Sequence, residues 1–169
     1  MVRVLVVVAS KHGATREIGG ALATTLTEAG IEAAVQPAEM VDTVEGFDAV
    51  LIGSGVYAGH WLKSAKHFVK HHAATLRQRP VWLFSSGPLG DPPAPSAEPV
   101  DVSAVIEMTA ARGHRIFAGR LAADGLSLGE RTLVKMVRAP YGDYRDWPAI
   151  ADWAREIAGS LRVAAPAGR

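Results

Sequence analysis

Apolar positions fall into two rhythms along this chain: short, largely unbroken runs, and longer stretches with a period near 3.6. The short runs predict strands at Val2–Ala9, Glu32–Val35, Ala49–Gly53, Val81–Ser85 and Arg115–Ala122. A continuous, β-branched run such as Val2–Ala9 fits a strand buried on both faces. The periodic stretches predict helices at Ala14–Ala29, Trp61–Leu76, Val100–Arg112, Ser127–Val137 and Pro148–Leu161. In the last, Ile150, Trp153, Ala154, Ile157, Ala158 and Leu161 recur at threes and fours, and Asp146 is placed to cap its start. Strands alternating with helical crossovers predict an α/β fold: a doubly wound five-stranded parallel sheet with helices on both faces.

Length and composition narrow the setting. At 169 residues, 49% of them hydrophobic, the chain suffices for one packed domain. We expect that domain over 1–163, with 164–169 as a flexible tail. No stretch approaches the roughly 18 consecutive apolar residues of a membrane span. The N-terminal run is short, is flanked by the single cation Arg3, and leads into a loop and an amphipathic helix, so it does not read as a signal peptide. The absence of cysteine excludes disulfides, thiolate nucleophiles and Cys-ligated metals, and makes a cytoplasmic location the expectation. A net charge of +1 gives no whole-molecule argument for nucleic acid.

Candidate chemistry concentrates in three loops that leave strand carboxyl ends, where open α/β sheets bind ligands. The first is Ser10-Lys11-His12-Gly13-Ala14-Thr15, small, hydroxyl-bearing and cationic, opening directly into a helix. Unpaired N–H groups and the positive dipole end there suit a phosphate. The second runs Gly53-Ser54-Gly55-Val56-Tyr57-Ala58-Gly59-His60-Trp61. Its small residues permit close approach, and Tyr57 and Trp61 can cover a flat ring, although Trp61, heading an apolar stripe with Leu62, Ala65, Phe68 and Val69, equally suits the core. The third is Ser85-Ser86-Gly87-Pro88-Leu89-Gly90-Asp91, whose backbone amides and carbonyls suit a heterocycle edge. The three are expected to converge on one site.

His67, His71 and His72 fall on one predicted helix, and His67 and His71 have a spacing that can bind zinc. No HExxH pattern and no neighbouring carboxylate support a metal, and the expected reading is a solvated basic face with Lys63, Lys66 and Lys70. With Arg77 and Arg79 that face suits an acidic protein or an anionic lipid surface, and Arg131, Lys135 and Arg138 offer a second basic stretch.

The phosphate loop reads Ser10-Lys11-His12-Gly13-Ala14-Thr15 against the T/S-x-T-G-x-T pattern of flavodoxins. Ser10, Gly13 and Thr15 match, and His12 stands where a hydroxyl is usual. On these residues the chain resembles the FMN-binding flavodoxin-like family over nearly its whole length. The segment Ala49–His60, with a Gly-His pair after an aromatic, and the ending Gly142-Asp143-Tyr144-Arg145-Asp146-Trp147 resemble the branch that contains menaquinone-dependent protoporphyrinogen oxidase. That branch often carries a long insertion near the fifth strand; here the region is only Leu121 to Arg138.

The resemblance implies FMN held by Ser10, Lys11, His12, Gly13, Ala14 and Thr15 at its phosphate. It places Ser54, Gly55, Val56, Tyr57, Ala58 and Gly59 along the ring, and Ser86, Gly87, Pro88, Leu89 and Gly90 at its edge. His60 is the candidate proton donor or substrate-orienting group, and no metal is expected. The implied activity is a flavin-dependent oxidoreduction with a small-molecule or quinone partner, protoporphyrinogen oxidation included. Two alternatives stand beside it. An electron-carrier flavodoxin is disfavoured by charge, because such shuttles resemble one another in being strongly acidic, whereas this chain has a pI near 8.1. A deazaflavin cofactor is the other, since Lys11 and His12 suit a more anionic tail.

Overall fold

The computed structural model describes residues 1–87 and 98–164. In chain order it begins β1 (Arg3–Ala9), α1 (Ala14–Glu28), β2 (Glu32–Pro37), β3 (Ala49–Tyr57), β4 (His60–Trp61), α2 (Lys63–Leu76) and β5 (Val81–Ser86). It continues with α3 (Val102–Thr109), β6 (Gly113–Phe117), β7 (Arg120–Leu121), α4 (Leu128–Val137), β8 (Gly142–Asp143) and α5 (Trp147–Ala164). The main sheet runs β2-β1-β3-β5-β6, and the four pairings along that path are all parallel. The chain steps outward from β1 to β2, then returns to β3 on the other side of β1. That reversal opens a crevice beyond the carboxyl ends of β1 and β3.

Why β1 reads as unbroken apolar sequence is plain from its two faces. Val4, Val6 and Val8 pack toward α1 and α5 among Ile18, Leu22, Leu26, Ile157 and Leu161. Leu5, Val7 and Ala9 pack toward α2 and α3 among Phe68, Val69 and Val105. Each buried branched side chain contributes roughly 1.5–3 kcal/mol of burial free energy. Register is held between neighbours, with Val6 opposite Val35 on one side and Leu51 on the other. Gly53 is required by packing: a Cβ there would lie 2.0 Å from Phe84 Cζ. The space goes to an aromatic cluster in which Phe84 and Phe117 both pack on Trp153, at 6.1 and 5.5 Å between centroids.

The five-stranded parallel sheet with helices on both faces is the architecture the sequence predicts, and Asp146 does cap α5, accepting the Ala149 N–H at 3.0 Å. Several boundaries differ from those predicted. The last parallel strand begins at Gly113 and stops at Phe117 instead of continuing to Ala122. Gly119 runs against the Gly87 backbone, 3.4 Å from its built Cβ position, and this turns the chain across the sheet end. Arg120 and Leu121 then pair antiparallel with Asp143 and Gly142. Trp61 precedes the helix: it belongs to β4, paired with Val56, and α2 starts at Lys63. The third helix is shorter than predicted and closes where Ala110 takes a φ of 53°. Ala164, expected at the start of the tail, ends α5.

Candidate functional site

The carboxyl ends of β1, β3 and β5 meet the segment from Gly119 to Ala139 around a cavity of about 330 Å³. Small-molecule sites span roughly 300–1,000 Å³, so this is room for one compact ligand. Each wall is built by local sequence.

Beyond β1, the Ser10 hydroxyl accepts the Gly13 N–H at 3.0 Å, folding the loop back on itself. Gly13 then takes a φ of 90°, a left-handed conformation that glycine adopts without steric cost, and α1 begins. No side chain caps α1. Its first-turn N–H groups therefore remain available where Ala14 and Thr15 line the cavity. Arg145 braces this turn from behind. Its guanidinium is 4% exposed, grips both Asp143 oxygens at 2.7–2.8 Å, and bonds Glu17 and the Ala14 carbonyl.

Beyond β3, Gly55 lets the second loop press onto the first: a Cβ there would sit 3.3 Å from Thr15 Oγ1. Tyr57 follows, and Ala58 and Gly59 make a two-residue hairpin into β4 with φ values of 48° and 80°. Both central residues are left-handed, as the tight turn between twisted antiparallel strands demands. Beyond β5, Ser86 and Gly87 reach the cavity, and a Cβ on Gly87 would meet Val56 Cβ at 3.2 Å. The backbone thus forms a cradle that side chains at Gly55 and Gly87 would fill.

The fourth wall was not foreseen. Leu121, Leu126 and three residues of α4 (Leu133, Val134, Val137) give it an apolar lining, and Glu130 of α4 gives it a charge. The Glu130 carboxylate gathers both preceding loops. Tyr57 donates its hydroxyl to Oε2 at 2.6 Å, and His12 Nε2 lies 2.7 Å from the same oxygen. Lys11 Nζ is 3.4 Å from Oε1, which also accepts the Ser127 hydroxyl at 3.1 Å. The Tyr57 hydrogen bond, then those of His12, Ser127 and Lys11, hold the Glu130 carboxyl down at about 2. Burial, then the bond to Glu130 and its charge, push the Tyr57 phenol up to about 12. Lys11 also stands over the Tyr57 ring, 4.5 Å from its centroid. Ser127, the cap of α4, announces the helix start in sequence. Nothing local announces that Glu130 reaches loops more than seventy residues away.

Of the residues singled out in sequence, Ser10, Lys11, His12, Ala14, Thr15, Gly55, Val56, Tyr57, Ala58, Ser86 and Gly87 line this one cavity. Gly13 shapes the loop without lining it. Ser54 turns into the core, donating to the Gly55 carbonyl and accepting the Leu62 N–H. Gly59 sits at the exposed hairpin tip. His60 lies outside the lining, its ring half-exposed with Nδ1 3.1 Å from Asp101 Oδ2. Trp61, considered as a ring cover, is instead buried and donates its indole N–H to Ser85 Oγ at 2.8 Å. Pro88, Leu89 and Gly90 fall outside the described residues.

The basic face is also narrower than expected. His72 is buried against Phe68. Lys66 is paired with Asp101, and Arg79 is spent on the carbonyls of Val44 and Phe47. Lys63, His67, Lys70 and His71 keep their exposed positions. No group of metal-ligating side chains is assembled among the described residues, and among them no helix is long and apolar enough to cross a membrane. One hydrogen-bonded chain running from the core to the surface was missed in sequence: Ser85 Oγ lies 2.8 Å from His114 Nε2, whose Nδ1 is 3.2 Å from the exposed Glu98. Ser85 is fully buried, so this serine has no access to substrate and serves the core.

Comparison with known proteins agrees with the geometry. Residues 5–147 match the family described as Flavodoxin domain. Protoporphyrinogen IX dehydrogenase [quinone] of Escherichia coli is 28% identical over 171 residues, covering 92% of this chain and 94% of that protein. Among solved structures, a flavodoxin from the domain Archaea superposes with a TM-score of 0.67 at 14% identity, over 95% of this chain and 99% of its own. A Streptococcus pneumonia flavodoxin gives 0.64 at 17% identity, over 94% and 99%.

Proposed function

We propose that this chain, which belongs to the flavodoxin-domain family, is a flavin-dependent oxidoreductase that holds FMN at the ends of β1, β3 and β5. The observation that carries this is a shared cavity. The uncapped start of α1, the Ser10 and Thr15 hydroxyls, the Tyr57 ring and a glycine-built backbone cradle all line or adjoin it. Such a donor set fits a phosphate at one end and a flat ring at the other.

In this reading the amides of α1 and the hydroxyls of Ser10 and Thr15 bind the phosphate. Gly55–Ala58 and Ser86–Gly87 bring backbone amides and carbonyls to the ring edge. Leu133, Val134 and Val137 exclude water from the apolar side. The flavin, when bound, supplies the electron-transfer chemistry, and the protein orients and tunes it. His60, outside the cavity lining and held by Asp101, is assigned to the substrate as proton donor or orienting group.

A quinone is the proposed electron acceptor and protoporphyrinogen the proposed donor, by likeness to the Escherichia coli relative, whose name states both. Charge favours an enzyme over a shuttle: a net charge of +1 lacks the acidic surface that steers a carrier to basic partners. FMN is favoured over a deazaflavin because Lys11 and His12 are already answered by Glu130. The absence of cysteine fits a cytoplasmic location, with Lys63 and Lys70 exposed toward an acidic partner or lipid surface.

Turnover tests the reading. The flavin-loaded chain is mixed anaerobically with protoporphyrinogen and a menaquinone analogue, and porphyrin fluorescence is followed. Many porphyrins formed per flavin support the enzyme. Reduction of the flavin without quinone-dependent turnover supports the carrier instead.

A further inference from the structure

Glu130 is the charged group of the least anchored wall of the site. None of the ten residues of α4 is buried, yet the Glu130 side chain keeps only 15% of its exposure. What shields it is Lys11, His12 and Tyr57, all from the two loops opposite. Lys11 and His12 immediately precede Gly13 and α1, in the loop whose donors suit a phosphate. A carboxylate and a phosphate are both acceptors only, and both seek the same charged donors.

We propose that Glu130 is an internal competitor for those donors, a specificity-determining residue that limits how much negative charge the site accepts. A neutral ligand leaves the Glu130–Lys11–His12 cluster intact. A phosphorylated ligand draws Lys11 and His12 toward its phosphate and must overcome their attraction to Glu130. Glu130 therefore weakens binding of phosphorylated ligands selectively and disfavours more anionic tails most. The inference rests on the flavin reading of this site.

The test uses the full chain, freed of flavin, and compares dissociation constants for FMN and riboflavin in native and Glu130→Gln protein. Glutamine keeps the shape and can still accept from Tyr57, but it removes the charge. The expected result is FMN bound about tenfold more tightly by Glu130→Gln, the scale of one charge-assisted hydrogen bond, with riboflavin changed less than about twofold. Inorganic phosphate, titrated as a competitor of FMN, should show an inhibition constant lowered by a similar factor in the variant. Glu130→Lys, on the exposed helix, should shift the FMN-to-riboflavin ratio further in the same direction. Equal changes for FMN and riboflavin, as a merely structural role would give, overturn the inference and leave the flavin reading standing. So does weaker FMN binding by both variants. Failure of native protein and variants alike to bind either flavin overturns the reading itself, and the inference with it.

Discussion

The Tyr57 hydroxyl donates a 2.6 Å hydrogen bond to Glu130, a residue 73 positions further along the chain. It fastens the second strand-end loop to α4 and so closes the cavity between the sheet and the apolar face of that helix. An acceptor-only carboxylate and a phenol are matched in this contact: each keeps the other in the protonation state that the bond needs.

The phenol should therefore titrate late. Three tyrosines are present, Tyr57, Tyr141 and Tyr144, and Tyr57 is the one held up at about 12. An ultraviolet titration should show one tyrosinate forming well above the ordinary 10. Because the folded value is raised, the associated stability is fully present below pH 10 and is lost as pH rises through about 12. Glu130→Gln should bring the late titration part of the way down, because it removes the charge and leaves burial and a hydrogen bond to the amide oxygen.

On the acid side the sign reverses. Glu130 falls from 4.5 to about 2 and Asp143 from 3.8 to about 2, so both carboxylates bind fewer protons folded than unfolded. Their contribution is complete above those ordinary values and disappears as pH falls through about 2. Hydrogen exchange across α4 should accelerate in this window in native protein, beyond the intrinsic pH dependence, and show no such step in Glu130→Gln.

Arg145 is predicted to matter for stability and ligand affinity together. Arg145→Met removes a buried guanidinium that holds Asp143, Glu17 and the Ala14 carbonyl. Its carboxylate partners are themselves about half exposed and can rehydrate, so we expect a loss of about 1–3 kcal/mol in urea unfolding. FMN affinity should fall more than riboflavin affinity, because the loosened first turn of α1 supplies the amides for the phosphate.

Gly13→Ala should cost about 1–2 kcal/mol through the left-handed φ of 90° alone, since nothing lies within 4 Å of a Cβ there. FMN affinity should fall more than riboflavin affinity, because the change is confined to the loop that holds the phosphate. Equal loss for both ligands would place the phosphate elsewhere.

How much of this the sequence carries depends on range. The buried strand Val2–Ala9, its loop and α1 are legible because apolar run, small hydroxyl-bearing loop and helix are contiguous. Tyr57 is legible because glycines flank it in a loop leaving a second buried strand. Where the sequence misleads, a distant contact decides. Arg115 to Ala122 reads as one strand, but Gly119 must pass the Gly87 backbone, which ends the strand at Phe117. Trp61 reads as either core or ligand contact, and the Ser85 hydroxyl waiting 2.8 Å from its indole nitrogen settles it as core. Glu130 reads only as part of a helix start after Ser127. Its partners Lys11, His12 and Tyr57 are brought to it by sheet topology that no local pattern encodes.

The most direct measurement is a titration of the full chain with FMN, followed by flavin fluorescence and the visible absorption spectrum. Saturable one-to-one binding is expected, with fluorescence quenched by the Tyr57 ring and the two-band spectrum of an oxidised flavin, its bands shifted from those of free FMN. Unquenched fluorescence and an unshifted spectrum at every ratio would contradict the assignment of this cavity as a flavin site.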